Sequence, residues 1–257
     1  MTPPAPPLVA FDTVTRRFDG EIVLDSLSFA VGRGEFVALL GPSGCGKSTV
    51  LRLVAGLDRP ESGRVAAPAD GIGYVLQDPT LMPWASALDN VALPLRFDGV
   101  TEREARERAA HALARVGLAD AAAKTPREMS GGMRMRTAVA RALVADPRVL
   151  LMDEPFAALD EITRFRLGDD LTRLRAEGDL TILFVTHSVF EAVALADRVL
   201  VMGAGHLAAD LPVVAPHGRG AAFRASADFA ATAARVSAAL EAAMAHLGRL
   251  DEAARAL

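Results

Sequence analysis

Short apolar runs open the chain, Leu8-Val9-Ala10-Phe11, Ile22-Val23-Leu24 and Leu27-Ser28-Phe29-Ala30-Val31, punctuated by turns at Asp19-Gly20 and Gly32-Arg33-Gly34. Runs of this length between turn residues predict antiparallel strands. Phe36-Val37-Ala38-Leu39-Leu40 follows as a continuous apolar stretch, and further strands are expected at Ile72 to Leu76, Val149 to Met152, Thr181 to Val185 and Arg198 to Met202. These alternate with helical segments, which predicts a largely parallel sheet with helices on its faces. Between Thr101 and Asp146 the pattern becomes charge-rich and alanine-rich without a convincing strand, so a helical subdomain inserted into the sheet core is expected there. After Asp210, the residues Phe229, Val236, Leu240, Met244 and Leu247 fall at helical spacings and predict a terminal helix laying its apolar side on the core.

The run Gly41-Pro42-Ser43-Gly44-Cys45-Gly46-Lys47-Ser48-Thr49 leaves the strand at Phe36 to Leu40 and enters a helix expected over Ser48 to Ala55, stopped by Gly56. It matches GxxxxGK(S/T), a loop whose backbone amides converge on phosphate oxygens while the helix that follows presents its positive end to the same anion. Lys47 is expected to bridge the terminal phosphates and Ser48 to ligate magnesium. Cys45 occupies the loop's unconstrained position; its place near a helix N-terminus favours the thiolate, so a maleimide is expected to inactivate the protein and ATP to protect it.

Two acids end the next buried strand, Val149-Leu150-Leu151-Met152-Asp153-Glu154. A carboxylate delivered rigidly at a strand's carboxyl end can orient a metal, which is the role expected of Asp153. Glu154, pointing elsewhere, is the candidate general base that polarises the attacking water, with a structural alternative as a turn cap before Pro155. His187 ends another apolar strand, where an imidazole could reach a terminal phosphate, although a lone histidine is commonly a satisfied polar residue. Ser130 reads as an N-cap ahead of Gly131 and Gly132, with Arg134, Arg136 and Arg141 along the helix behind it. A second anion-binding helix start is surplus to one nucleotide.

Together these segments resemble the ATP-binding cassette family: Walker A at Gly41 to Thr49, the signature at Met129 to Met133 and Walker B at Val149 to Glu154, over residues about 8 to 210. The resemblance implies an α/β fold, a P-loop NTPase core with an antiparallel β subdomain and an inserted α-helical subdomain. It implies a lead-in at 1–7, an ATPase domain at 8–214 whose helical part spans about 88–147, and a helical tail at 215–257. It assigns Gln77 to sensing magnesium and water, His187 to the switch histidine, Phe18 to stacking on adenine, and Asp160, after Ala157-Ala158-Leu159, to communication across a dimer seam. Core packing is the alternative for Phe18. It also explains Ser130, Gly131 and Gly132, because the signature faces the terminal phosphate held by a second subunit, so that a homodimer sandwiches two ATP molecules with Mg2+.

The segment Gln77-Asp78-Pro79-Thr80-Leu81-Met82-Pro83-Trp84 is similar to that of importer ATPases of the nitrate, sulfonate and taurine class, as is Asp153-Glu154-Pro155-Phe156 running into Leu159-Asp160-Glu161-Ile162-Thr163-Arg164. That likeness implies a groove near Leu81, Met82 and Trp84 for a membrane permease, with an extracytoplasmic solute-binding protein engaged indirectly. It places the chain peripherally on the cytoplasmic face of the bacterial inner membrane. On physics alone the same three residues could form a buried hinge. Met129, Met135 and Ser188 depart from the family's usual leucine, glutamine and acid.

Composition bounds these readings. The chain has 257 residues, enough for one large domain, and no apolar stretch long enough to span a bilayer, so a soluble protein is expected. The N-terminal Met1-Thr2-Pro3-Pro4-Ala5-Pro6-Pro7 lacks a basic region followed by an apolar core, which gives no case for a secretory signal. One cysteine fits a reducing compartment. A net charge of −4 with interspersed signs argues against nucleic acid as a partner. The rival reading is a soluble cassette ATPase uncoupled from transport; a small-molecule kinase would leave the signature unexplained.

Overall fold

Strands covered on both faces read as near-continuous apolar runs, and Phe36–Leu40 (β3) and Thr181–Thr186 (β7) are buried at every residue in the computed structural model of the protein. The structure describes residues 6–157, 159–215 and 218–255, with side chains to residue 245. Most of the expected lead-in and Ala158 lie outside them. In chain order the elements are β1 (Val9–Phe18), β2 (Glu21–Val31), β3, α1 (Lys47–Val54), β4 (Ser62–Ala66), β5 (Ile72–Val75), α2 (Ala87–Phe97), α3 (Glu102–Arg115), α4 (Gly131–Leu143), β6 (Val149–Asp153), α5 (Glu161–Ala176), β7, α6 (Val189–Leu195), β8 (Arg198–Gly203), β9 (His206–Pro212), α7 (Ala221–Arg224) and α8 (Ala227–Arg255). They fall into two compact units, one comprising residues up to 68 and from 181 onward, the other residues 69–180.

The first unit holds an antiparallel sheet in the order β2-β1-β4 and four strands in the order β7-β3-β8-β9. β3 runs parallel to both β7 and β8, while β9 closes the edge antiparallel to β8. The antiparallel sheet alternates its side chains: Phe11 and Phe29, register partners, stack with centroids 4.6 Å apart. α8 lies on β8, so close that a Cβ on Gly203 would come 2.9 Å from the Cβ of Ala243. This corrects the expected apolar stripe of the tail. Phe229, Val236 and Ala243 are buried, seven residues apart, whereas Met244 is 51% exposed and Leu247 lies beyond the described side chains. The alanine wins the inward position because the helix approaches its strand too closely for a longer side chain.

The second unit pairs β5 and β6 in parallel and carries α2 to α5. No strand interrupts the stretch from Thr101 to Asp146, as its charge-rich pattern predicts. α2 and α3 are joined through Asp89, whose carboxylate accepts from Ser86 Oγ, Arg96 and Arg106. The Ser86 hydroxyl first, then the two guanidiniums, hold the Asp89 carboxyl below its ordinary value against the opposing effect of burial. A folded-state pKa below the unfolded one contributes stability that is present above the unfolded value of about 4 and is lost as the pH falls below it through the depressed folded value. The urea midpoint of this unit should therefore drop as the pH is lowered from about 5. Asp89→Asn should flatten that part of the profile; an unchanged slope would remove Asp89 from the account.

Candidate nucleotide site

In the first unit, register brings the loop and the histidine together. Leu40, the last residue of β3, pairs with Thr186, the last of β7, in a parallel ladder. The loop beginning at Gly41 and His187 therefore leave adjacent strands at the same level, on the carboxyl edge where ligands of parallel sheets bind. α1 then starts at Gly46, whose φ of 97 is a left-handed conformation that a glycine adopts without strain. A Cβ there would also lie 2.8 Å from the Val23 carbonyl oxygen. α2 to α6 all begin with a side chain that accepts from their first-turn amides. α1 has no such cap and no acid in its first turn. Its amides and positive dipole end suit an anion supplied from outside the chain, so the residues present fit a nucleotide's phosphates.

Lys47 is 6% exposed and its ammonium donates to the Gly41 and Pro42 carbonyls at 2.8 and 2.7 Å. Those bonds keep the charge inside the loop. Ser43 and Gly44 are exposed, Pro42 and Ser48 half-buried and Thr49 buried.

Cys45 corrects its expectation. The side chain is 4% exposed, and burial pushes its thiol up, outweighing the opposing pull of the Lys47 ammonium. The helix start favours a thiolate only where water or a cation can solvate it. Maleimide labelling at neutral pH should be slow in the folded protein and fast in denaturant; stoichiometric labelling of the native chain within minutes would contradict this burial.

Phe18, at the end of β1, is 38% exposed and lies outside the core, with the Arg16 guanidinium 4.3 Å over its ring. His187 is exposed between two polar neighbours that are both engaged: the Ser188 amide donates to Thr186 Oγ1 at 3.0 Å, and Ser188 Oγ caps α6 by accepting from the Glu191 amide at 3.3 Å. Ser188, a departure from the usual acid, thus supplies the cap.

The second unit assembles another group in the same way. Val75 of β5 pairs with Met152 of β6, so Gln77 and Glu154 follow the ends of adjacent strands and Asp153 is the last residue of β6. Gln77 is exposed and both acids are half-buried. Glu154 has a φ of 45, a left-handed backbone that costs a side chain such as glutamate roughly 1–2 kcal/mol.

Ser130 caps α4 by accepting from the Met133 amide at 3.2 Å and stays exposed. Gly131 follows half-buried at the start of that helix. Gly132 packs closely on α5, since a Cβ there would lie 2.4 Å from Thr163 Cγ2 and force that side chain to move. Asp160 caps α5 through the Thr163 amide at 3.0 Å, and the Thr163 bonds hold its carboxyl below the ordinary range. Met135 is 1% exposed, so its thioether fills the core where the usual amide would need a partner.

The buried-hinge reading of the 77–84 segment fails at Trp84, which is 79% exposed, while Met82 is 36% exposed and Leu81 half-buried. Asn90, for which the sequence suggested no role, and Arg141 hold this loop. Asn90, fully buried, accepts from the Met82 amide at 2.7 Å and donates to the carbonyls of Met82, Ala85 and Ser86. Arg141 on α4 donates to the Pro79 and Thr80 carbonyls at 2.8 and 3.0 Å. A polar residue at an otherwise apolar helix position was the only available signal for Asn90.

Among the described residues no helix is long and apolar enough to cross a membrane. A model of the ABC transporter family matches residues 24–157. The aliphatic sulfonates import ATP-binding protein SsuB 1 of Mesorhizobium japonicum is 48% identical over 221 residues, 83% of this chain and 83% of that protein. Its namesake in Pseudomonas fluorescens is 48% identical over 206 residues, 80% of this chain and 77% of that one. Among solved structures, the dimeric post-hydrolysis state of the ATP-binding cassette MJ0796, bound to ADP and phosphate, superposes with a TM-score of 0.73 at 32% identity, covering 80% of this chain and 99% of that one. With a phosphate loop at the edge of a parallel sheet and these likenesses over most of its length, the chain belongs to the ABC transporter family, as one of its ATP-binding, ATP-hydrolysing members.

Proposed function

We propose that the solute served by this ATP-driven import subunit is an aliphatic sulfonate. The observation that supports this reading is the sulfonate-import name carried by relatives 48% identical over most of this chain. The same relatives speak against the soluble, uncoupled ATPase considered from the sequence. The chain works at the cytoplasmic face of the membrane, bound to a permease through the loop that exposes Met82 and Trp84. Large apolar side chains held in water by a buried asparagine and an arginine suit a partner surface.

The reaction is ATP plus water giving ADP and phosphate. The loop amides and Lys47 hold the phosphates and neutralise charge as it develops. Glu154 takes a proton from the attacking water and His187 donates a hydrogen bond to the terminal phosphate. Magnesium, when bound, supplies Lewis-acid neutralisation of phosphate oxygens, and Ser48, Gln77 and Asp153 offer the oxygen donors that suit this hard cation. Phe18 stacks on the adenine by its open ring face. A second copy of the chain lends Ser130, Gly131 and Gly132 to the same nucleotide, and Asp160 relays closure across that seam.

Deleting the gene in its native host tests the cargo. Growth with an alkanesulfonate as sole sulfur source should fail while growth on sulfate is normal, and the intact gene should restore it. Normal growth on the sulfonate, with loss of uptake of nitrate or taurine instead, would overturn the assignment.

A further inference from the structure

We propose that Glu191, a buried carboxylate without an assigned part in hydrolysis, is a positioning residue that fixes His187 through the hydroxyl of Thr186; this rests on the reading of His187 as the phosphate-contacting switch. Glu191 is 8% exposed, one of few charged side chains buried among the described residues. Its Oε2 accepts from Thr186 Oγ1 at 2.5 Å. Thr186 Oγ1 in turn accepts from the Ser188 amide, and Ser188 Oγ accepts from the Glu191 amide.

Three hydrogen bonds thus close a ring through both neighbours of His187. In an ordinary capping box the glutamate at the third helical position reaches back to the amide of the N-cap residue directly. Here Ser188 is the N-cap and Glu191 the third residue of α6, but a threonine hydroxyl is inserted between carboxylate and amide. The insertion draws the last residue of β7 into the cap. Thr186 is itself fixed in the parallel ladder opposite Leu40. The peptide that carries His187 is therefore clamped between a strand that also delivers the phosphate loop and a helix start, leaving the imidazole exposed with little backbone freedom.

Such a clamp acts on turnover more than on binding, because the loop amides and Lys47 grip ATP without it. Thr186→Val keeps side-chain volume and removes the hydroxyl, while Thr186→Ser restores the hydroxyl. Glu191→Gln keeps an acceptor oxygen, and Glu191→Ala removes it.

The experiment measures steady-state ATPase kinetics, binding of a fluorescent ATP analogue and melting temperature for these four variants and for His187→Ala. Thr186→Val and Glu191→Ala should lose kcat by about 100-fold, the scale set by small misplacements of a reacting group. Their KM and analogue affinity should stay within about threefold, and Thr186→Ser and Glu191→Gln should recover most of the rate. If Glu191→Ala fails to fold, Thr186→Val against Thr186→Ser carries the comparison. The proposal is overturned if Thr186→Val turns over like the parent while His187→Ala is inactive, or if affinity falls in step with kcat. Normal turnover by His187→Ala would overturn the reading of the histidine itself, which is a separate result.

Discussion

Glu154→Gln should stop ATP turnover, by about 100- to 10,000-fold, while leaving nucleotide binding intact. The substitution keeps the shape of a side chain held by a left-handed backbone, with φ 45, and removes only the basic oxygen. Because glutamine cannot take the proton from water, ATP persists in the site. The variant should then accumulate as an ATP-bound dimer, seen as a mass increase on size exclusion that ADP does not produce. Melting temperature should be unchanged. Glu154→Gly supplies a companion measurement, since glycine accepts the left-handed backbone freely and should lose activity without losing stability. Parental turnover by Glu154→Gln would show that another group is the base.

Lys47→Ala should weaken ATP binding by about 10- to 100-fold, the equivalent of about 1.5–3 kcal/mol for hydrogen bonds made by a charged group. The ammonium donates to the carbonyls of Gly41 and Pro42, so phosphate oxygens compete with those bonds for it. That competition bounds the loss. It also gives a sign to the stability effect: the alanine variant leaves two loop carbonyls without their donor, and the loop should become more susceptible to protease near Ser43. Fluorescence titration with an ATP analogue measures the first effect and limited proteolysis the second. An affinity within threefold of the parent would place the phosphates elsewhere.

Much of this site was legible because its chemistry is local in the chain. A phosphate loop needs a strand, a glycine-rich turn and a helix start in succession, and Phe36 to Val54 spells that order within nineteen positions of sequence. Strand ends were legible for the same reason. An apolar run that stops at Asp153 or His187 states where the chain emerges. The helix start at Ser130 followed from its short polar side chain, which accepts from an amide three residues on; the like caps at Asp160 and Ser188 came from the structure.

The miss at Cys45 came from treating a helix N-terminus as a sufficient cause. Desolvation depends on what packs over the thiol, and nothing near Cys45 in sequence encodes that. Asn90 was missed because its partners are backbone groups of a loop that has no pattern of its own.

By itself the sequence determined the central strands (though neither β4 nor β9), the phosphate loop, the positions at which acids and histidine leave the sheet and the family to which the chain belongs. These depend on periodicity and on motifs contiguous in the chain. Only the tertiary structure decided that Trp84 stands in water, that Ala243 rather than Met244 faces β8, that Glu154 carries a strained backbone and that Glu191 reaches back to Thr186. Each of those is a matter of which atoms exclude water or compete for one position, and that is settled by packing between segments distant in sequence or folded back on themselves.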